Sequence, residues 1–349
     1  MRGAGPVIRV IPAQPWLPSF GNEGPTVGAA PPDERSGMTS QTNGQRSGQG
    51  SGRESGRESS EETRRRLGLR AGPGRAALAA ALRNASYEVL PFRSAEEKVL
   101  AHVPADVPLT VTTTEAKGFG PTVDLAVRLS RQGYRAAPHL AARNVRDEAQ
   151  LTDLVAQLRE AGIDSVFVIG GDAAEPAGTF PDALSLLEAL ERIGHPFTSV
   201  GIGGYPEGHG KISDELIEQA LERKAPHATQ ILTQLCFDAD TTIAWARKAQ
   251  ARGVRLPIRV GIPGAINRQK LIRVSAGLGL GQSAKIISKQ QGMVWRFFLP
   301  GGYSPNKLVE RLTPAFAQDD NQLSGFHVFT FNELEATEEW RRRWLERLS

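Results

Sequence analysis

Eight short apolar runs recur along the chain, roughly 25 to 30 residues apart over most of its length, and one after another they end in a polar residue. They are SYEVLPF (86–92), PLTVTTTE (108–115), YRAAPHL (134–140), SVFVIGGD (165–172), FTSVGIGGYPEGH (197–209), TQILTQLCFD (229–238), PIRVGIPG (257–264) and FHVFTFNE (326–333). The runs are apolar on both faces, as strands are in a parallel sheet covered by helices on each side. Between them lie amphipathic stretches, which predict helices over 121–132, 147–161, 180–193, 213–224 and 239–252. In 147–161 the apolar positions are Leu151, Leu154, Val155 and Leu158, the i, i+3, i+4, i+7 stripe of a helix that covers a sheet. Gly133, Gly162, Gly194 and Gly253 each follow a helical stretch and precede a strand, as helix C-terminal glycines do.

This alternation predicts an α/β protein. A doubly wound open sheet shares the pattern, but eight repeats and the lack of a GxGxxG after the first strand favour a (β/α)8 TIM-type barrel. The glycines of VGIGGYPEGHG come too late and at the wrong spacing for a dinucleotide fingerprint, and read as a loop. Residues 74–84 predict a short lead-in helix, and 267–317 read as an elaborated seventh crossover before the last strand.

Composition adds a tail to the barrel. From about residue 21 to 66 the chain turns to Gly, Ser, Arg, Glu and Gln, so residues 1–75 are expected to be a disordered extension and 76–349 the barrel and catalytic domain. A solvated extension, or a true start at Met38, is the plain reading of that tail, and a binding arm is the competing one. The net charge of +4 belongs to the same segment: residues 1–75 hold eleven arginines against seven carboxylates, which leaves 31 basic and 31 acidic residues in the remainder. A balanced body gives no electrostatic footprint for nucleic acid. The chain lacks the roughly 20 continuous apolar residues of a membrane helix. One cysteine, Cys236, excludes an internal disulfide, and Arg9 and Pro12 break the apolar N-terminal stretch, so a reducing cytoplasmic setting is expected. A homo-oligomer is left open.

The strand ends carry the candidate chemistry, because a (β/α)8 barrel builds its site there. Glu88 sits within the first run; a carboxyl buried there acquires a raised pKa and can serve as a general acid, while the competing reading is a barrel-bottom ion pair with an arginine. His139, Asp172 and Gln234 end the third, fourth and sixth runs. A mouth of Glu, Thr, His, Asp, Tyr and Gln without clustered Lys or Arg suits an uncharged or heteroaromatic ring. His139, His209, Asp172 and Glu207 lack any HxH, HExxH or CxxC spacing, so no metal is expected. No GxSxG elbow supports a hydrolase, and Cys236 reads as a small buried hydrophobe.

In order, YEVLPF, AAPHL, VIGGD, GGYPEGH, ILTQLCFD, GIPGAI and FHVFTFN resemble the motifs of the 5,10-methylenetetrahydrofolate reductase family over roughly 84–335. The resemblance implies a (β/α)8 barrel that reduces methylenetetrahydrofolate to 5-methyltetrahydrofolate for methionine synthesis, with NADH or NADPH as hydride donor and, in most members, bound FAD. It implies Glu88 as the general acid that helps open the folate's five-membered ring to a 5-iminium cation. It implies Asp172 as the carboxylate that holds the pterin and adjusts the electronics of the reacting system, and Gln234 as a folate contact. Thr113, His139, Tyr205, His209 and Lys224 fall at or near positions that line the flavin site in flavin-containing members.

Three departures bear on the cofactor. Gly170 stands where the flavoprotein form carries an arginine, and AINRQ after IPG lacks an aromatic that packs on substrate. AARNVRDEAQL and KQQGMVWRFFLPGGYSP (289–305) resemble a divergent, actinobacterial-type branch without flavin, which leaves FAD unassigned. The competing functions are a pterin methyltransferase barrel and a folate-binding barrel without catalysis. A barrel lyase or aldolase would need a Schiff-base lysine at a strand end, and the eight runs hold none.

Overall fold

The computed structural model describes residues 73–113, 118–210, 212–266 and 304–349. The expected N-terminal extension, up to residue 72, lies outside them, as does most of the seventh crossover. Eight parallel strands form a closed barrel in the order β1 to β8, with β8 pairing back onto β1. The strands are β1 Ser86–Val89, β2 Leu109–Val111, β3 Ala136–Ala141, β4 Ser165–Ile169, β5 Ser199–Gly204, β6 Gln230–Leu235, β7 Ile258–Pro263 and β8 Leu323–Phe329.

Each apolar run of the sequence supplies one strand. The helices are α1 Pro73–Arg83, α2 Ala95–His102, α3 Gly120–Arg131, α4 Glu148–Glu160, α5 Ala183–Ile193, α6 Asp214–Lys224, α7 Ala239–Ala251, α8 Asn306–Leu312 and α9 Leu334–Leu348. On α4 the four residues of the predicted stripe are the buried ones. Gly133, Gly162, Gly194 and Gly253 all adopt positive φ, between 69 and 93°, the conformation that ends a helix in the left-handed region.

The differences from the expected pattern have local causes. α5 begins at Ala183 because Asp182 caps it: the Asp182 carboxylate accepts from the Ser185 amide, and the two residues form a reciprocal capping box. α2 was not visible in the hydrophobic pattern because only Ala95 and Val99 are buried on it. β8 starts three residues before the apolar run, at Leu323, through Ser324 and Gly325. A side chain at Gly325 would meet the Asn84 carbonyl at 3.0 Å, so the strand enters there most closely packed as glycine.

Two devices aim side chains at the mouth. The β6–β7 register shifts between Leu232 and Leu235, a bulge held by Thr233, whose hydroxyl accepts from the Gly261 amide at 2.7 Å and donates to the Gln234 carbonyl at 2.9 Å. After β8 the chain turns sharply, with Phe331 (φ 50°) and Asn332 (φ 58°) both left-handed. Bulky residues seldom adopt that conformation, and here neighbours impose it. The Thr330 hydroxyl donates to the Glu88 carbonyl (2.6 Å), while the Asn332 amide side chain accepts from the Leu90 N–H (2.9 Å) and donates to the Leu90 carbonyl (3.0 Å).

Candidate active site

The carboxyl ends of the strands surround a cavity that opens to solvent. Its walls are largely apolar, with Phe167, Ile169, Leu232, Phe329 and Phe331, and its polar groups include Glu88, Thr113, His139, Asp172, Gln234 and His327. Apolar walls with a few convergent polar groups are what a flat organic ligand requires.

Glu88 lies in the barrel interior. Strand alternation sends its neighbours outward, and the Tyr87 hydroxyl meets Glu338 on α9 at 2.7 Å. The Glu88 residue is 8% exposed, and its Oε2 lies 3.8 Å from Nε2 of both His139 and His327. Those separations exceed hydrogen-bond length, so the imidazoles pack beside the carboxyl without neutralising it. Burial raises its pKa to about 7, and the neighbouring His139 offsets only part of that rise. The same burial lowers His139 to about 4 and His327 to about 3. Near neutrality the cluster therefore has two neutral imidazoles around a carboxyl that can carry and release a proton. The Ser86 hydroxyl and His327 Nδ1 are 2.9 Å apart, which fixes the ring and turns Nε2 toward Glu88. No arginine pairs with Glu88 among the described residues; the arginine of the barrel floor, Arg259, instead bonds Asn84 and Gln230.

Gln234 reaches the wall from the β6 bulge, with its own side-chain oxygen accepting from the Leu235 amide at 2.9 Å. Asp172 lies three residues beyond β4, half-buried at the rim. Just before it, Gly171 (φ 88°) passes so close to β3 that a side chain would meet the Ala141 Cβ at 3.0 Å.

The five positions expected to face a flavin separate into two groups. Thr113 and His139 line the cavity, and His139 stands mid-strand against Glu88 and edge-on to Phe167 at 4.7 Å. Tyr205, His209 and Lys224 do not line it. The Lys224 ammonium, lowered to about 8 by burial, donates to the Gly203 carbonyl at 3.3 Å, and Tyr205 packs edge-on against His209 at 5.5 Å. No Lys or Arg lines the cavity among the described residues. Among the described wall residues, then, none offers a cation to a flavin's phosphates.

Glu207 accepts from the Phe237 and Asp238 amides at 2.6 and 2.9 Å, tying the loop after β5 to the loop after β6. No group of three or more His, Cys, Asp or Glu is placed to hold a metal ion among the described residues. Cys236 is buried, contacts the Thr233 hydroxyl and has its thiol pushed up to about 12, so it is not a nucleophile. His327 and Phe331 were missed in the sequence. His327 sits within the quoted eighth run, two residues before Phe329, and that shared parity was the available signal for an inward imidazole.

Comparison with known proteins points to the same family. Residues 96–289 match the family model described as methylenetetrahydrofolate reductase. The chain is 28% identical over 132 residues to methylenetetrahydrofolate reductase 1 of Schizosaccharomyces pombe, covering 36% of this chain and 22% of that one. It is 24% identical over 149 residues to methylenetetrahydrofolate reductase 2 of Saccharomyces cerevisiae, covering 40% of this chain and 25% of that one. The matched segment thus spans about a quarter of the length of these curated relatives. Among solved structures, a putative lyase/mutase from Burkholderia cenocepacia J2315 aligns over 79% of this chain and 86% of that one, at 14% identity and a TM-score of 0.40, which is too low to carry an argument.

Proposed function

The chain belongs to the methylenetetrahydrofolate reductase family, and from that premise we propose that it reduces 5,10-methylenetetrahydrofolate to 5-methyltetrahydrofolate with NADH or NADPH as hydride donor. The observation that carries this reading is Glu88, a buried carboxyl with a pKa raised to about 7 at the base of a cavity whose rim bears Asp172 and Gln234. In its protonated form Glu88 supplies the proton that lets the folate's five-membered ring open to a 5-iminium cation. Asp172, a carboxylate at the rim, stabilises that cation as it forms, and Gln234 orients the pterin by hydrogen bonding. The iminium carbon accepts the hydride and becomes the methyl group, while the nicotinamide is oxidised. After release of product, solvent protons reload Glu88, and the Ser86–His327 pair keeps an imidazole beside it throughout.

A wall without Lys or Arg among the described residues, and Gly170 in place of the flavoprotein arginine, favour transfer from nicotinamide to folate in one step, as in the divergent branch that the chain resembles. A cytoplasmic setting suits a one-carbon enzyme whose single cysteine is buried and reduced.

The test is anaerobic incubation of purified full-length protein with NADH or NADPH and methylenetetrahydrofolate, with nicotinamide oxidation and 5-methyltetrahydrofolate both measured. A colourless preparation that makes both products stoichiometrically is expected. A pterin methyltransferase or a folate-binding barrel would leave the nicotinamide unoxidised, and a visible flavin band would overturn the one-step route.

A further inference from the structure

One buried cation beside the cavity is committed to neither carboxylate nor ligand. Arg143 lies in the single turn Ala142–Asn144 that follows β3 and is 5% exposed. Its guanidinium donates to three carbonyls of one loop: Nε to Ala173 at 2.7 Å, Nη2 to Ala174 at 2.6 Å and Nη1 to Pro181 at 3.0 Å. Its backbone is engaged with the same segment, since the Arg143 N–H donates to Gly170 at 2.9 Å and its carbonyl accepts from Ala177 at 2.7 Å. Among the described residues it makes no ion pair. Burying a guanidinium on dipoles alone costs desolvation, and a fixed fork of donors matched to three carbonyls is the geometry that offsets it.

The loop so gripped is the one that carries Asp172. It runs from Gly170 to Asp182 without helix or strand, longer than the 2–6 residues usual between a strand and the next helix. Left to itself, such a segment would lose conformational entropy each time the carboxylate had to be placed. The next turn of chain completes the grip: the Thr179 N–H donates to the Arg146 carbonyl at 3.0 Å, and a side chain at Gly178 would meet that carbonyl oxygen at 1.8 Å.

We infer that Arg143 is a positioning residue, which fixes the Gly170–Asp182 loop and so holds the Asp172 carboxylate at the mouth before substrate enters. This rests on the proposed role of Asp172 in the reductase reaction. Pre-setting the carboxylate matters because misplacement by about 1 Å can cost on the order of 100-fold in rate.

The experiment is a double-mutant cycle between Arg143→Ala and Asp172→Asn, read by kcat/KM for methylenetetrahydrofolate and by hydrogen exchange of the 172–181 amides. Arg143→Ala is expected to lower kcat/KM on the order of 10- to 100-fold, while in the Asp172→Asn background it lowers it by less than about 3-fold, because the group it positions is gone. Exchange of the 172–181 amides should accelerate while β3 and β4 stay protected. Should Arg143→Ala fail to fold, Arg143→Lys, which keeps the charge but not the fork, and Gly178→Ala, which pushes the loop off Arg146, carry the same cycle. Equal losses of kcat/KM in both backgrounds, or unchanged exchange, would overturn the inference. A wild-type protein that leaves nicotinamide unoxidised would defeat the functional reading instead, and the exchange data would still decide whether Arg143 holds the loop.

Discussion

Glu88 carries two consequences of one burial. Its acid form is favoured in the folded protein, so turnover that depends on that proton should fall as pH rises through about 7. The linkage runs the same way. A carboxyl whose folded pKa lies above its ordinary 4.5 binds its proton more tightly when folded, so stability present below pH 4.5 is lost as pH rises toward 7. His139 and His327, both lowered by burial, act oppositely and withdraw stability as pH falls from 6.5 toward their folded values of about 4 and 3. Glu88→Gln should therefore reduce kcat by at least about 100-fold while raising stability at pH 8 by roughly 1–3 kcal/mol. Steady-state kinetics and urea unfolding of the same preparation test both halves, and a variant with full turnover would remove Glu88 from the acid role. Glu88 was legible because a carboxylate within an apolar run has few bland explanations. His327 had a parity signal for facing inward, but its place beside Glu88 was not legible: that depends on the pairing of Ser86 with His327, residues that only barrel closure brings together.

At the scale of elements, two irregularities shape the site. The β6 bulge exists only because Gly261 has no side chain; a Cβ there would meet the Thr233 and Gln234 carbonyl oxygens at 2.3 and 2.6 Å. Gly261→Ala should cost about 2–4 kcal/mol in denaturant unfolding and raise KM for folate by displacing Gln234; an unchanged KM would show that the bulge does not place it. The left-handed turn after β8 depends on Asn332 in the same way. Asn332→Ala removes both bonds to Leu90 and should destabilise by about 1–3 kcal/mol, with Phe331 released from the cavity wall. Equilibrium unfolding gives the first number, and loss of the left-handed turn in a structure of the variant gives the second. The regular elements followed from 3.6- and 2-residue periods and from the four glycine stops, which are local signals. Neither irregularity has such a signal, because each is set by a strand or loop distant in sequence.

Among the described residues, the first and last helices meet across the joint that closes the barrel. Outside the β8–β1 joint, the Tyr87 hydroxyl donates to Glu338, which pairs with Arg341 through two bonds of 2.9 Å, all three being buried. Arg75 on α1 donates to the carbonyls of Leu348 and Arg347 at the end of α9, at 3.0 and 2.9 Å. Glu338→Leu should cost about 3–5 kcal/mol, because it strands Arg341, and Glu338→Leu with Arg341→Met should recover most of that loss. Thermal unfolding of the two variants tests this, and equal melting temperatures for both would show that the stranded charge is not the cause. The sequence by itself determined the (β/α)8 order, the four glycine stops and the placing of Glu88, Asp172 and Gln234 on the strands or just beyond them, because these depend on period and short-range chemistry. The tertiary structure alone decided that two imidazoles flank Glu88, that Arg143 grips the Asp172 loop and that Thr113 and His139 line the cavity wall. Those relations join residues far apart in the chain, and their geometry is fixed only when register and closure bring the strands around one axis.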